Sequence, residues 1–316
     1  MAQGPTRDDV VRARETIGDR LHRTPTFASR TLSELTGAQV HLKAELFQRT
    51  GSFKPRGVLN KLATLGSADK AAGVCTWSAG NAAQAVAYAA ALEEIPCRVF
   101  MWRSANSGKV AATRGYGADV DLDADDAAEA YERVVAYAEE TGATFVHPFD
   151  DPVLQAGHGT VGLEIEEHVP GVDLVVVPIG GGGLIAGIAA AVGCRVVGVE
   201  PEGAASMTAA LEAGEPVRIQ PTSVADGLAT PFVGAVSLAV CTERVDRVVL
   251  VTDEEIEDAF RFLYARAKLA CEPAGAASTA ALLAGKVQLE AGERVVAVVS
   301  GGNTAPETAS AILASR

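Results

Sequence analysis

Short apolar runs alternate with longer stretches of helical spacing along the whole chain. Eight runs have the length and β-branched content of buried strands, at residues 40–42, 74–77, 98–101, 143–146, 174–177, 196–199, 248–251 and 295–299. The segments between them place apolar residues at the period of a helix. Because strands that alternate with helices pair in parallel, the pattern predicts an α/β fold with mainly parallel sheets.

One uncharged segment, residues 174–194, is about as long as a membrane span. Its first part is β-branched, four consecutive glycines from Gly180 to Gly183 interrupt it, and its last part is rich in alanine. That order is typical of a strand, a glycine loop and a helix. We therefore expect no membrane partner from this segment.

Composition supports close packing of helices on sheets. The chain has 316 residues, of which 48% are hydrophobic and 32 are glycine, while 5% are aromatic. This length suits two moderate domains better than one, with boundaries in short connections near Ser67 and near residues 148–151.

Charge and cysteine content exclude several classes of partner. A net charge of -13 leaves no basic footprint for nucleic acid or for an anionic membrane, so a small-molecule role is favoured. The five cysteines are odd in number and lie singly in apolar sequence, which argues for a reducing compartment and against a disulfide framework. No apolar leader precedes the first charges, and we expect a cytoplasmic protein.

Lys54, within the segment Gly-Ser-Phe-Lys-Pro-Arg-Gly at residues 51–57, is the first candidate for chemistry. Pro55 fits the first turn of a helix, so Lys54 is predicted at a helix start. The partial positive charge of that end, the cation on Arg56 and burial beside Phe53 would all lower the pKa of Lys54. A lysine in this state can form a Schiff base, although most lysines before a helix are simply solvated.

Three more segments fall at predicted strand-to-helix turns, where open α/β sheets bind ligands. A small polar loop begins at Ser78, and its N–H groups can bind a carboxylate or form a plain helix cap. The glycine run can hold a phosphate, a weak signal because many nucleotide folds share it. Residues 300–303, Ser-Gly-Gly-Asn, end the last strand and can also be an ordinary turn.

Taken together, these segments resemble the fold-type II pyridoxal-phosphate enzymes and, within them, the threonine/serine dehydratase and serine racemase family. The resemblance covers nearly the whole chain. It rests on ordered matches at residues 22–25, 42–45, 51–57, 78–84, 147–151, 159–160, 180–184, 198–201, 225–227, 272–275 and 300–303. It implies a tryptophan synthase β-like fold with two open, mainly parallel sheets flanked by helices. It also implies a large cofactor-binding domain of residues 1–66 and 149–316 and a small substrate-loop domain of residues 67–148.

The resemblance assigns roles to individual residues. Lys54 would be the catalytic residue, bonded to pyridoxal 5'-phosphate and later serving as base. The other cofactor contacts would be Phe53, Asn81 at the 3-hydroxyl, Gly180, Gly181, Gly182, Gly183 and Leu184 at the phosphate, Gly227, and Ser300 at the pyridine nitrogen. Substrate contacts would come from Ser78, Ala79, Gly80, Asn81 and Asp226.

The implied activity is elimination of the β-hydroxyl of L-threonine or L-serine, which gives 2-oxobutanoate or pyruvate and ammonia. Serine racemases usually place a second serine where this chain has Ala79, which cannot transfer a proton, so racemisation is the less favoured alternative. The family commonly has histidine where this chain has Ala82, and Trp77 adds a bulky ring before the loop. Phenylserine and 3-hydroxyaspartate therefore stay open as substrates.

Two further expectations come from the resemblance. Racemase-like members bind Mg²⁺ or Ca²⁺, and Glu200 and Ala204 match two of the ligands, but Ser206 replaces an aspartate, which should weaken a divalent cation. Whether K⁺ takes that place is open. A homodimer is expected, and a protein that binds pyridoxal phosphate without turnover is the alternative from another class.

Overall fold

Two sheets, one of six strands and one of four, organise the protein. The computed structural model describes residues 3–315. Along this range the strands are β1 (Thr26–Ala28), β2 (Gln39–Ala44), β3 (Val74–Trp77), β4 (Cys97–Trp102), β5 (Asp119–Ala124), β6 (Thr144–Phe145), β7 (Leu174–Pro178), β8 (Arg195–Pro201), β9 (Arg247–Val251) and β10 (Arg294–Val299).

Helices connect and cover these strands. The α-helices are α1 (Arg7–Ile17), α2 (Arg30–Thr36), α3 (Lys54–Leu62), α4 (Ser67–Ala72), α5 (Asn81–Leu92), α6 (Ser107–Gly115), α7 (Ala127–Thr141), α8 (Pro152–His168), α9 (Gly183–Ala191), α10 (Ser206–Ala213), α11 (Ala235–Arg244), α12 (Asp253–Phe262), α13 (Pro273–Leu283) and α14 (Pro306–Ala314). Single 3-10 turns occupy Gly18–Arg20, Glu45–Phe47, Arg49–Gly51 and Glu202–Ala204, and a π-helical turn, Leu263–Ala267, follows α12.

The larger sheet has the strand order β1-β2-β10-β7-β8-β9, and all its pairs are parallel except β1 with β2. From β7 the chain moves outward to β8 and β9 and then returns to β10 on the other side of β7. The direction of the crossovers therefore reverses between β7 and β10. Ligands of open α/β sheets bind at the carboxyl ends of strands at such a point.

The smaller sheet repeats this arrangement with the order β5-β4-β3-β6 and parallel pairing throughout. The chain moves from β3 to β4 and β5 and returns to β6 on the opposite side of β3, so the reversal lies at β3. The four strands of this sheet all lie within residues 67–148, the range that we predict for the small domain.

Burial explains why the central strands contain so few polar residues. Every residue of β7 is buried, and so is every residue of α9, the helix that follows it. Helix α13 packs on the other side of the larger sheet with ten buried residues. Parallel strands covered on both faces cannot alternate apolar and polar positions, and they appear in the sequence as continuous apolar runs.

The α/β fold with two mainly parallel sheets is confirmed, and all eight predicted strands are present. Two strands were not predicted. β1 has three residues and pairs antiparallel at the edge of the larger sheet, so it is too short to give a pattern. β5 has the sequence Asp-Val-Asp-Leu-Asp-Ala, and its three aspartates obscure an edge strand in which Val120, Asp121 and Ala124 are buried.

The structure also bears on the apolar segment and the cysteines. Among residues 3–315, no helix is long and apolar enough to cross a membrane. Residues 174–194 form β7, the glycine loop and α9, as predicted. The five cysteines are free thiols, and Cys75, Cys241 and Cys271 are buried.

Candidate active site

A cavity of about 590 Å³ opens between the carboxyl ends of the two sheets. The loops after β3, β7 and β10 and the start of α3 form its walls. Every residue that we predict to contact cofactor or substrate lines this one cavity. They are Phe53, Lys54, Ser78, Ala79, Gly80, Asn81, Gly180, Gly181, Gly182, Gly183, Leu184, Asp226, Gly227 and Ser300.

Lys54 is the first residue of α3, and Pro55 lies in the first turn as predicted. Its Nζ donates a hydrogen bond to the backbone oxygen of Pro148 at 2.8 Å and lies 5.1 Å from the centre of the Phe53 ring. Burial lowers the pKa of Lys54 to about 8, and the negative charge of Glu272 acts in the opposite direction. About a tenth of this amine is therefore neutral and nucleophilic at pH 7, a far larger share than in a solvated lysine.

The lowered pKa of Lys54 was predicted correctly, but one of its proposed causes was wrong. Arg56 points away into the core, where it pairs with Glu45 at 2.8 Å and with Glu164 at 2.7 Å. Lys43 also pairs with Glu164, so two cations and two carboxylates balance each other behind α3. Because its charge is neutralised there, Arg56 anchors α3 instead of repelling the Lys54 ammonium.

The glycine loop joins β7 to α9, and its neighbours exclude side chains. A Cβ added to Gly181 would lie 2.2 Å from the Phe149 ring, and one added to Gly183 would lie 2.8 Å from the Phe149 backbone oxygen. Gly182 adopts a φ of +87°, which favours glycine. No side chain caps the start of α9. The backbone N–H groups of the loop therefore remain available to an anion such as a phosphate.

The loop after β3 presents a second uncapped helix start to the cavity. Ser78 and Gly80 lead into α5, and no side chain caps this helix. The Ser78 hydroxyl accepts a hydrogen bond from the Gly80 N–H at 3.1 Å. The first N–H groups of a helix lack partners within the helix, so this end can bind a carboxylate.

Asn81 and Ser300 complete the polar lining of the cavity. The Asn81 amide donates to Glu272 Oε1 at 2.7 Å and accepts from Asn303 Nδ2 at 2.9 Å. Ser300 follows β10, is 4% exposed, and accepts a hydrogen bond at its backbone oxygen from the Phe53 N–H. The loop after β3 and the loop after β10 therefore meet beside Lys54.

Asp226 occupies the mouth of the cavity, and its surroundings add a contact that the sequence did not reveal. Its side chain is 63% exposed and forms an ion pair with Lys109 of α6. This pair joins the loop beside the larger sheet to a helix of the smaller sheet. The contact with the substrate hydroxyl that we predict for Asp226 stays a prediction.

The residues of the predicted cation site lie outside the cavity. Glu200 is the second-last residue of β8 and accepts hydrogen bonds from the N–H groups of Met207 at 2.6 Å and Thr208 at 2.9 Å, so it caps α10. Its other neighbours, Ala204 and Ser206, add no carboxylate. Within residues 3–315 there is no group of three or more His, Cys, Asp or Glu side chains that could hold a metal ion.

Sequence reasoning missed the roles of four residues that shape the site. Pro148 offers its backbone oxygen to Lys54, and Phe149 backs the glycine loop. Glu272 and Asn303 hold Asn81 from both sides. All of these residues lie in segments that carried the resemblance. Their roles depend on a backbone oxygen or on contacts with residues far away in the chain, and the sequence does not show such contacts.

The cavity fits pyridoxal phosphate. It combines a buried amine with a lowered pKa that can bond an aldehyde, a bare glycine loop at a helix start for a phosphate, and an apolar ring, Phe53, beside them. These features define a pyridoxal-phosphate enzyme of the α/β class.

The chain belongs to the family of pyridoxal-phosphate dependent enzymes, whose family model matches residues 17–301. It is 44% identical over 305 residues to an L-threonine ammonia-lyase of Thermotoga maritima, a match that covers 94% of this chain and 75% of the relative. It is 42% identical over 287 residues to a phenylserine dehydratase of Ralstonia pickettii, covering 89% of this chain and 88% of the relative.

Solved structures agree with this assignment. The structure of maize serine racemase superposes with a TM-score of 0.92 at 34% sequence identity, covering 96% of this chain and 95% of the other. The fold and family expected from the sequence are therefore confirmed.

Proposed function

We propose that the protein eliminates the β-hydroxyl of L-threonine and L-serine and releases 2-oxobutanoate or pyruvate with ammonia. The observation that carries this proposal is the placement of Lys54 in one cavity with two uncapped helix starts, those of α9 and α5. One helix start suits the cofactor phosphate, and the other suits the carboxylate of an amino acid. The relative from Thermotoga maritima, named an L-threonine ammonia-lyase, supports the same reaction.

The start of α5 would orient the substrate. The N–H groups after Gly80 and the hydroxyl of Ser78 would hold the carboxylate, which fixes the α-carbon inside the cavity. When bound, pyridoxal phosphate withdraws electron density from the α-carbon and makes its proton acidic. Lys54, whose lowered pKa of about 8 makes its neutral amine available near neutral pH, would accept that proton.

The bond changes balance without an oxidant or reductant. Loss of the α-proton and of the β-hydroxyl removes one water and leaves an enamine. The enamine tautomerises to an imine, and one water hydrolyses it to the keto acid and ammonia. The net reaction converts L-threonine into 2-oxobutanoate and ammonia.

Elimination is favoured over racemisation by the residue at position 79. Inversion at the α-carbon needs a second proton donor on the face opposite Lys54, and the methyl group of Ala79 has no proton to transfer. Ser300 favours elimination as well. Its hydroxyl would meet the ring nitrogen of bound pyridoxal phosphate without enforcing a positive charge there, and this would suit prompt loss of a β-substituent.

A second candidate substrate is phenylserine, and the wall formed by the smaller sheet supports it. Trp77, Trp102, Ala82, Ala105 and Ala127 line this side of the cavity and offer apolar surface to a β-aryl group. The relative from Ralstonia pickettii is named a phenylserine dehydratase. The absence of an imidazole at Ala82 leaves additional room in this wall.

A substrate panel tests the proposal. The purified protein, loaded with pyridoxal phosphate, would be given L- and D-serine, L-threonine, 3-hydroxyaspartate and phenylserine, and both keto acid and enantiomers would be measured. We expect keto acid from L-threonine and L-serine without comparable formation of a D-isomer. D-serine formed as fast as pyruvate would instead show a racemase. A visible absorbance band of bound cofactor without turnover of any substrate would show a binding protein.

The same proposal includes a homodimer that acts in the cytoplasm. The proposal also includes a cation site at Glu200 and Ala204. We expect its affinity to be low, because the Glu200 carboxylate already caps α10. Mass measurement by light scattering tests the dimer. Keto-acid release with and without Mg²⁺, Ca²⁺ or K⁺ in chelator-treated protein tests the cation.

A further inference from the structure

Asn81 is held at both ends of its side-chain amide. Its Nδ2 donates a hydrogen bond to Glu272 Oε1 at 2.7 Å. Its Oδ1 accepts one from Asn303 Nδ2 at 2.9 Å, and the same Nδ2 also donates to the backbone oxygen of Thr50 at 2.6 Å. Three parts of the chain thus fix one side chain on the cavity wall.

Glu272 is the buried end of this network. It is 3% exposed, it precedes α13, and its backbone N–H donates to the oxygen of Gly301 at 3.0 Å. A Cβ added to Gly301 would lie 2.3 Å from Glu272 Oε1, so the carboxyl group packs directly against the backbone of this glycine. Within residues 3–315, Asn81 is the one side chain that donates a hydrogen bond to this carboxyl group.

The hydrogen-bonding capacity of the amide determines what Asn81 can offer to a ligand. Asn303 uses both of its N–H bonds, one on Thr50 and one on Asn81, and it has no donor left. If the Asn81 amide were flipped, its oxygen would face the carboxyl oxygen of Glu272 and its NH₂ group would face the NH₂ group of Asn303. The contact between the two NH₂ groups would be repulsive at any pH, and the contact with Glu272 would be repulsive while that carboxyl group is ionised. One orientation is therefore fixed, and it leaves the second Nδ2–H of Asn81 free.

We propose that Glu272 and Asn303 are positioning residues that fix Asn81 as a hydrogen-bond donor toward the 3-oxygen of the cofactor. This inference rests on the proposed function only in that the cofactor is pyridoxal phosphate, and it holds for any reaction at this site. A fixed N–H donor stabilises the ionised form of that oxygen relative to the protonated form. Glu272 and Asn303 therefore act on the electronic state of the cofactor without touching the substrate.

The charges around Glu272 suit this role. Burial, together with the negative charge of Asp226, raises the pKa of Glu272 to about 7, while the hydrogen bond from Asn81 and the charges of Lys109 and Lys54 lower it. The carboxyl group accepts the Asn81 hydrogen bond in either protonation state, but the ionised form accepts it more strongly. The clamp on Asn81 should therefore tighten as pH rises through about 7.

Binding of pyridoxal phosphate to the apoprotein tests the proposal without substrate. In Glu272→Ala the amide can rotate, and we expect about ten- to a hundredfold weaker binding of the cofactor, the loss that follows from a charge-assisted hydrogen bond. The visible band of the bound cofactor should lose intensity to a band at shorter wavelength, because its 3-oxygen is protonated at a higher pH. Glu272→Gln keeps an acceptor oxygen for Asn81 and should retain the visible band.

Further variants separate positioning from a structural role. Asn303→Ala should shift the spectrum in the same direction as Glu272→Ala, and in an Asn81→Ala background Glu272→Ala should have little further effect. Glu254→Gln, an exposed carboxylate on α12, is the control and should behave as the unchanged protein. Thermal unfolding of each apoprotein measures any general destabilisation.

Two outcomes would overturn the inference. The first is a Glu272→Ala protein with unchanged cofactor affinity and an unchanged band. The second is weakened binding in Glu272→Ala that is equally large when Asn81 is alanine, because Glu272 would then act through another path. Neither outcome affects the proposed function, which keto-acid release by the unchanged protein tests separately.

Discussion

The two walls of the cavity are built differently. On the side of the larger sheet, Gly181 and Gly183 press against Phe149 so closely that no side chain fits. On the side of the smaller sheet, Gly80 has open space around its Cα, and a Cβ there would meet no atom within 4 Å. At the first wall, contacts with Phe149 exclude any side chain at the two glycines. At the second wall, a methyl group at Gly80 would be accommodated.

This difference assigns separate tasks to the two sheets. The larger sheet supplies the bare loop and the Lys54 helix, a fixed frame that suits one cofactor. The smaller sheet supplies the α5 start and an apolar surface that includes Trp102 and Ala127.

The largest effect is expected from the fixed wall at Lys54. Lys54→Ala would remove the proposed base and the proposed covalent link to the cofactor together, so kcat for keto-acid release should fall at least about a thousandfold. Lys61→Ala on the same helix removes a partly buried ion pair with Asp151 that lies outside the cavity, and it should leave turnover unchanged. Turnover by Lys54→Ala within tenfold of the unchanged protein would assign the base to another group.

The next effect concerns the glycine loop. Gly181→Ala places a methyl group 2.2 Å from Phe149, and overpacking of about 1–3 kcal/mol should weaken cofactor binding roughly ten- to a hundredfold. Gly80→Ala and the exposed Gly193→Ala, which have open space, should bind cofactor as the unchanged protein does. Titration of the apoproteins with pyridoxal phosphate measures all three. Equal losses in Gly181→Ala and Gly80→Ala would remove the distinction between the walls.

A smaller, selective effect is expected on the variable wall. Ala82→His introduces an imidazole into the apolar surface, so phenylserine turnover should fall about tenfold relative to threonine turnover. The ratio of kcat/KM for the two substrates measures the change. Ala128→His, at an exposed position of α7, controls for the new histidine. An unchanged ratio would place the β-substituent elsewhere in the cavity.

The last effect requires no substitution and is a pH dependence of the rate at which the apoprotein binds the cofactor. Only the neutral Lys54 amine can attack the aldehyde, and burial lowers its pKa to about 8. Below pH 8 the neutral fraction falls about tenfold per pH unit, and above it the fraction levels off. Stopped-flow absorbance of apoprotein mixed with pyridoxal phosphate should therefore show a rate that rises with pH and reaches a plateau above 8. A rate still rising through pH 10 would mean that Lys54 is not buried as described.

Much of this arrangement is readable from the sequence because parallel strands buried on both faces leave apolar runs. The glycine loop, the Ser78 loop and Ser300 follow such runs, so topology alone brings them to one cavity. The edge strands β1 and β5 were missed, since one is too short and the other is charged on one face. The sequence alone does not indicate a role for Glu272, because its side chain acts through a hydrogen bond with Asn81, which is 191 positions away in the chain.

The role of Arg56 shows the same limit. A cation two residues from Lys54 suggests repulsion, but helix geometry turns it toward Glu45 and Glu164. Local sequence gives the charge of a residue and not its partners. The prediction of a lowered pKa for Lys54 was correct because burial alone is sufficient.

The most direct test of the whole account is reduction of the yellow holoprotein with borohydride, followed by peptide mapping by mass spectrometry. Lys54 and Lys109 both line the cavity. Because they lie in different proteolytic peptides, peptide mapping distinguishes a label on one from a label on the other. We predict a pyridoxyl label on the peptide that contains Lys54 and loss of the visible band. A label on Lys109, or a protein that takes up pyridoxal phosphate without any label, would contradict the assignment of Lys54.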